Sequence, residues 1–180
     1  MKKVLLHCCC AICSGYPIQK LQEMGYEVVA YFCNDNLDTE AEFNRRVDAQ
    51  KTLCEHLKIK LMIEPYNQKV YYNYVKGLEN EPERGKRCLK CFELRFKKTA
   101  EKAKELGFEN ITTSMIISPH KDFKSLCQIG NKIVKEYEIN FLDIDFKKQD
   151  GFLKTNKLSK ELGLYRQNYC GCTFAKVERN

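Results

Sequence analysis

The sequence predicts an α/β fold, a three-layer sandwich in which helices cover both faces of a mostly parallel sheet of about five strands. Three observations predict it. Short apolar runs rich in β-branched and aromatic residues alternate with longer stretches whose apolar residues recur at helical spacing. Glycines close those helical stretches at Gly25, Gly77, Gly107 and Gly163. No repeat, low-complexity tract or Pro/Gly/Ser linker interrupts the 180 residues, so positions 1–180 read as a single domain with one core.

Each element follows from its residues. Lys3–His7 is a continuous apolar run that ends in cysteines, as a fully buried strand would. Ser14 is the expected N-cap of a helix carrying Pro17, Ile18, Leu21 and Met24 and stopping at Gly25. Glu27–Cys33 is the second strand, and Thr39–Leu57 a helix with Phe43, Val47, Leu53 and Leu57 on one stripe. Lys60–Glu64 is the third strand, stopped by Pro65, and aromatic Tyr66–Gly77 reads as a helix. A polar loop leads to a long helix, Leu89–Leu106. Strand Asn110–Met115, helix Phe123–Tyr137, strand Asn140–Asp145 and helix Phe152–Leu162 follow. The tail, Leu164–Asn180, reads as irregular and packed on the site. Alternating strands and helices are βαβ units with right-handed crossovers, which makes the layout Rossmann-like. Ligands in such sheets sit at the carboxyl ends of the strands, where Cys8-Cys9-Cys10 leaves the first one.

Composition narrows the class. Hydrophobic residues at 43% and charged residues at 31% describe a folded globular chain. No apolar run reaches the roughly 20 residues of a membrane span, and the apolar start is too short for a signal peptide. The expected location is therefore the reducing cytoplasm, where eleven cysteines point to metal or redox chemistry more than to structural bridges. Net charge is +7, and between Glu83 and Lys104 nine cations stand against three anions. That basic helix is a candidate surface for a polyanion, with a solvated lysine face as the plainer reading.

Three cysteine groups carry the chemistry: Cys8-Cys9-Cys10-Ala11-Ile12-Cys13, Cys88-Leu89-Lys90-Cys91 and Cys170-Gly171-Cys172. C-x-x-C places two sulfurs on one turn, close enough to share a metal or an iron–sulfur cluster. Near a helix N-terminus the dipole favours the thiolate that such a metal requires. An iron–sulfur cluster or redox metal is the leading reading, zinc the rival metal, and metal-free thiols the third. Cys33, Cys54 and Cys127 read as small buried hydrophobes, His7 as a satisfied core histidine and His56 as solvated. His120 follows a strand end and is a better site candidate. Tyr165, Arg166, Tyr169 and Phe174 could stack on an unpaired base or close the core.

With these residues in view, the sequence resembles the QueH family of epoxyqueuosine reductases. The matching pieces run nearly end to end. They are His7-x-Cys9-Cys10-Ala11-x-Cys13-Ser14, Tyr31-Phe32 to Asn34-x-Asn36, and Glu83-x-Gly85-x-Arg87-Cys88-x-x-Cys91-Phe92. Then come Thr113 to Ser118-Pro119-x-Lys121, Asp145-Phe146-Lys147-Lys148-x-x-Gly151, and Tyr165-Arg166-Gln167-x-Tyr169-Cys170-Gly171-Cys172. Departures are small: Cys8, Ile12 and Asp35 stand where the pattern favours an apolar residue, a proline and a proline.

The resemblance implies reduction of the epoxide of epoxyqueuosine at the tRNA wobble position to queuosine and water. It implies a 4Fe–4S cluster held by Cys9, Cys10, Cys88 and Cys91, no cobalamin and no nucleotide. Cys170 and Cys172 would be a redox-active pair, Cys13 a candidate ligand of a second iron, and the electron donor an unidentified partner. His120, Lys121, Asp122, Tyr169 and Asp35 are candidate proton donors. Two alternatives remain: a zinc-stabilised RNA-binding module and a PP-loop-like tRNA thiolation enzyme. The second needs S-G-G-x-D-S after the first strand, and this chain has Cys8-Cys9-Cys10-Ala11-Ile12-Cys13-Ser14-Gly15 there.

Overall fold

A computed structural model describes residues 1–179, with side chains through Lys176; Asn180, the last residue of the predicted irregular tail, lies outside the described residues. Its sheet holds five parallel strands in the order β3-β2-β1-β4-β5. They are β1 (Lys2–His7), β2 (Tyr26–Phe32), β3 (Lys60–Ile63), β4 (Asn110–Thr113) and β5 (Asn140–Phe141). The helices are α1 (Ala11–Glu23), α2 (Glu40–His56), α3 (Gln68–Tyr74), α4 (Lys86–Leu106), α5 (Phe123–Tyr137), α6 (Gly151–Glu161) and α7 (Thr173–Arg179). On one side α1 packs against α6 and α2; on the other α4 packs against α5. The predicted sandwich is therefore the observed one.

The strand order reverses at β1, which pairs with β2 on one edge and β4 on the other. Crossovers leave in opposite directions there, so a crevice opens above the carboxyl ends of β1 and β4. Val4, Leu5 and Leu6 are fully buried beneath it. His7 closes the strand: its Nε2 lies 3.1 Å from the Cys33 carbonyl and its Nδ1 3.0 Å from Thr113 Oγ1. Burial, reinforced by the Arg95 charge, lowers its pKa to about 4. The ring is therefore neutral at pH 7, bonding β2 on one side and β4 on the other, which is the satisfied core role expected of it.

Four departures from the sequence reading have a local reason. Ser14 is not an N-cap. It lies inside α1, where its hydroxyl donates to the Cys10 carbonyl at 2.6 Å, and Cys10 is the capping position. The strand predicted over Asn110–Met115 stops at Thr113, whose side chain accepts the Met115 N–H and opens a 3-10 turn over Ser114–Ile117. The last strand is only Asn140–Phe141, because Thr112 Oγ1 takes the Leu142 carbonyl at 2.8 Å as the chain leaves the sheet. The tail is not wholly irregular: it ends in α7.

One contact pins β5. Gly130 on α5 lies against the Phe141 ring, and a Cβ there would meet ring carbons at 2.5 Å. Gly130→Ala should destabilise the protein by about 1–3 kcal/mol, the usual cost of overpacking, in a chemical denaturation experiment. Unchanged stability would show that α5 can slide on β5 without loss.

Candidate functional site

Each of the three cysteine groups stands at the start of a helix. The first follows β1. Asn34 Nδ2 ties the Cys8 carbonyl down at 2.9 Å, and the Cys9 N–H donates to Ser114 Oγ at 3.1 Å. These bonds turn the chain from the sheet into α1. Cys8 faces the core, fully buried, with its thiol directed at the Leu6 carbonyl. The sulfurs of Cys9, Cys10 and Cys13 all lie within 4.8 Å of one another, Cys9 and Cys10 at 3.8 Å. Cys10 caps α1 and Cys13 is in its first turn.

The second group opens α4. Gly85 is the N-cap, the Arg84 N–H donates to Cys88 Sγ at 3.2 Å, and Cys91 follows one turn on. Arg95, one turn further still, directs Nη2 to Cys91 Sγ at 3.2 Å and Nη1 to Asn34 Oδ1 at 3.4 Å. Its Nε is buried without a hydrogen-bond partner among the described residues.

The third group precedes α7, and its backbone is clamped. Arg46 donates to the carbonyls of Cys170 at 3.0 Å and Tyr169 at 3.3 Å, and its guanidinium stacks on the Tyr169 ring. The Asp38 N–H takes the Gly171 carbonyl at 2.7 Å. Arg46 is itself fixed by Glu42, a buried carboxylate that accepts Arg46 Nε at 2.8 Å, Arg45 Nη2 at 2.8 Å and the Tyr165 hydroxyl at 2.9 Å. Gly171 has φ +118°, and a Cβ there would strike Leu37, so only glycine fits. The Ala175 N–H donates to Cys172 Sγ at 3.3 Å, so this sulfur caps α7.

All three groups line one cavity of about 650 Å³ above the strand ends. Cys9, Cys10, Cys13, Cys88, Cys91, Cys170 and Cys172 share its wall with Arg46, Arg95 and Lys121. Among the described residues every cysteine is a free thiol, so Cys170 and Cys172 form no disulfide in this structure. Hydrogen bonds from Cys10 and Cys13 hold the Cys9 thiol well below its usual range, against burial. Hydrogen bonds to Cys10 and Cys9, together with burial, raise Cys13. The Cys170 thiol is likewise held low, by a hydrogen bond from Cys172 and by Lys121, Arg95 and Arg46, which together outweigh burial. Burial raises Cys91 and Cys88. For Lys121, burial favours the neutral form, but the charges of Cys170, Cys9 and Cys13 win and raise its pKa. The site therefore favours the thiolate form most at Cys9 and Cys170, next to protonated lysine and arginine.

Other candidates sort cleanly. Cys33 and Cys54 are buried, as expected of small hydrophobes. Asp35 is buried away from the cavity wall, paired to Lys98 Nζ at 2.6 Å and to the Asn67 N–H at 3.2 Å. Asp122 caps α5 through the Ser125 N–H, and the Tyr169 hydroxyl donates to Asp38 Oδ1 at 2.7 Å. His120 is exposed at the cavity mouth, 3.2 Å from Arg84 Nη2. Of the five candidate proton donors, Lys121 lines the cavity and is the one whose charge the Cys170 and Cys9 thiols stabilise. Phe174 is packed under Arg87, 4.4 Å from guanidinium to ring centre, and Tyr165 is bound to Glu42, so neither is presented for stacking. Sequence reading missed Arg46 and Glu42, whose i, i+4 spacing on α2 looks like an ordinary surface ion pair until the tail folds over it.

Comparison with known proteins now applies to this geometry. The family profile described as "Epoxyqueuosine reductase QueH" matches residues 4–178. The chain belongs to the epoxyqueuosine reductase QueH family. A relative of that name from Streptococcus pyogenes serotype M1 is 36% identical over 178 residues, covering 96% of this chain and 69% of its own. Another from Thermotoga maritima is 31% identical, covering 99% of this chain and 93% of its own. Among solved structures, the U34-tRNA thiolase NcsA from Methanococcus maripaludis with its [4Fe-4S] cluster has a TM-score of 0.60 at 15% identity. The match covers 96% of this chain and 61% of that one. A predicted tRNA methyltransferase subunit from Methanocaldococcus jannaschii also scores 0.60, at 9% identity, covering 87% of this chain and 75% of that one. At those identities the likeness establishes the fold alone.

The clamp on the third group gives a direct prediction. Arg46→Met removes both donors that fix the Tyr169 and Cys170 carbonyls. Amide exchange across residues 169–172 should accelerate by about tenfold to a hundredfold, while that of β1 stays slow. Unchanged protection in the tail would mean that Asp38 and Gly171 hold the loop alone.

Proposed function

We infer that this chain is an oxidoreductase that reduces the epoxide of epoxyqueuosine, at the wobble position of tRNA, to queuosine. Two electrons and two protons enter, the epoxide oxygen leaves as water, and an alkene remains in the cyclopentene ring. One observation supports this most: cysteines from three distant segments meet in one cationic cavity at the switch point of the sheet. Family membership supplies the substrate.

The donor set suits an iron–sulfur cluster. The sulfurs of Cys9, Cys10 and Cys13 are clustered, Cys88 and Cys91 line the same cavity near the N-terminus of α4, and the cavity wall includes an Arg95 whose Nε lacks a partner among the described residues. We assign Cys9, Cys10, Cys88 and Cys91 to a 4Fe–4S cluster and Cys13, in the same trio, to a second iron. When bound, such a cluster supplies electrons one at a time. Cys170 and Cys172 form the redox pair, and no cobalamin or nucleotide takes part. Lys121 holds its proton at Nζ beside Cys170, where it can meet charge developing on the departing oxygen. Arg46 and Gly171 keep both sulfurs on the cavity wall. Among the described residues no helix is long and apolar enough to cross a membrane, and a tRNA-modifying enzyme is expected in the cytoplasm. The domain is read as one unit, residues 1–180, with its electrons coming from a donor outside the chain.

Variants separate the roles. Cys88→Ala or Cys91→Ala should lower iron and sulfide content and bleach the visible absorbance of the anaerobic protein. Cys13→Ala should lose about one iron per chain and keep that absorbance. Cys170→Ala and Cys172→Ala should keep both cluster and tRNA binding yet lose turnover, read as queuosine released from digested tRNA. Turnover by the Cys170→Ala, Cys172→Ala double variant would remove the pair from the reaction.

A further inference from the structure

The basic helix α4 was the expected surface for tRNA, and the structure spends its charge elsewhere. Arg87 and Arg95 are buried. Lys90, Lys98, Lys102 and Lys104 are ion-paired to Glu93, Asp35, Glu105 and Glu138, at 3.2, 2.6, 3.0 and 3.4 Å. With six of the nine cations between Glu83 and Lys104 buried or ion-paired among the described residues, this segment keeps only Arg84, Lys86 and Lys97 for a phosphate backbone. The opposite rim of the cavity differs. Lys147 and Arg166 stand in the cavity wall, and Lys157 and Lys160 are exposed on α6, the helix that gives Phe152 and Asn156 to that wall. Among the described residues none of these four has a carboxylate within ion-pairing distance.

On the same rim stands Phe152, 40% exposed and part of the cavity wall. A large aromatic ring left in water at the mouth of a charged cavity is a stacking platform for an unpaired base. Asn156, one turn along α6, shares the wall and accepts Arg166 Nη2 at 2.8 Å, which fixes the plane of that guanidinium. Lys147 Nζ is steered toward the mouth by the Lys121 carbonyl at 3.0 Å. Lys160 continues the face of Phe152 and Asn156 by one more helical turn.

We propose that the single-stranded anticodon loop docks on the α6 rim and not on α4. Lys147 and Arg166 take the phosphates beside the inserted nucleoside, Phe152 stacks on a neighbouring base, and Lys157 and Lys160 follow the backbone outward. This rests on the reading of the substrate as tRNA and adds where and how it is held.

The test compares two charge reversals of equal size using an unmodified tRNA transcript as probe. Lys157→Glu with Lys160→Glu should weaken binding by about tenfold or more at moderate salt and lower the salt slope by about two. Lys102→Glu with Lys104→Glu should change affinity by less than about threefold, although net charge falls equally. Phe152→Ala should weaken binding by about fivefold to fiftyfold without changing the salt slope, and Phe152→Tyr should restore it. Equal losses from both lysine pairs, or none from the α6 pair, would overturn the docking surface. If those α6 variants bind and turn over like the parent protein, the proposed reaction stands and only the surface falls. No binding of tRNA by the parent protein would overturn both.

Discussion

Three helices begin at one cavity, and a cysteine caps or enters the first turn of each. Cys10 and Cys13 do so for α1, Cys88 for α4, with Cys91 one turn on, and Cys172 for α7. A helix N-terminus presents unpaired N–H groups and a positive dipole end, so it stabilises negative charge. The rest of the site is arranged to supply that charge. Parallel strands set the geometry: reversal of strand order at β1 points α1 and α4 toward the same crevice from opposite faces. His7, kept neutral, bonds the three strands involved and adds no charge of its own to the site.

Cations close the balance. Arg46, Arg95 and Lys121 line the cavity; Arg46 has its counter-charge in Glu42, and burying Arg95 without one would cost several kcal/mol. The thiols of Cys9 and Cys170, both held well below their usual range by hydrogen bonds from neighbouring thiols and by nearby cations, are the groups that favour negative charge here. The tail uses the same device twice: Glu42 anchors Arg46, and Arg46 anchors the backbone of the Cys170-Gly171-Cys172 loop. Rigid placement matters there, because Gly171 holds a backbone angle that relaxes if the clamp is lost.

Much of this was legible in the sequence. Alternating apolar runs marked every strand and the main helices, since the period of a buried strand or amphipathic helix is a local property. The cysteine spacing and the cluster of motifs located the site and its family. What escaped depended on contacts between distant segments. Ser14 has the chemistry of an N-cap, but the turn is set by Cys9 bonding to Ser114, more than a hundred residues away. Arg46 and Glu42 read as a surface pair because the tail that buries them arrives last. The lysines of α4 looked available because their partners, Asp35 and Glu138 among them, lie on other elements.

The account rests on the cavity holding one iron–sulfur cluster bound by cysteines of the first two segments. Elemental analysis of the anaerobically prepared protein tests this most directly. It should contain about four to five iron and four sulfide per chain, no stoichiometric zinc, and a paramagnetic signal on one-electron reduction. Stoichiometric zinc without sulfide in active protein would contradict it, leaving the cysteines as a structural metal site.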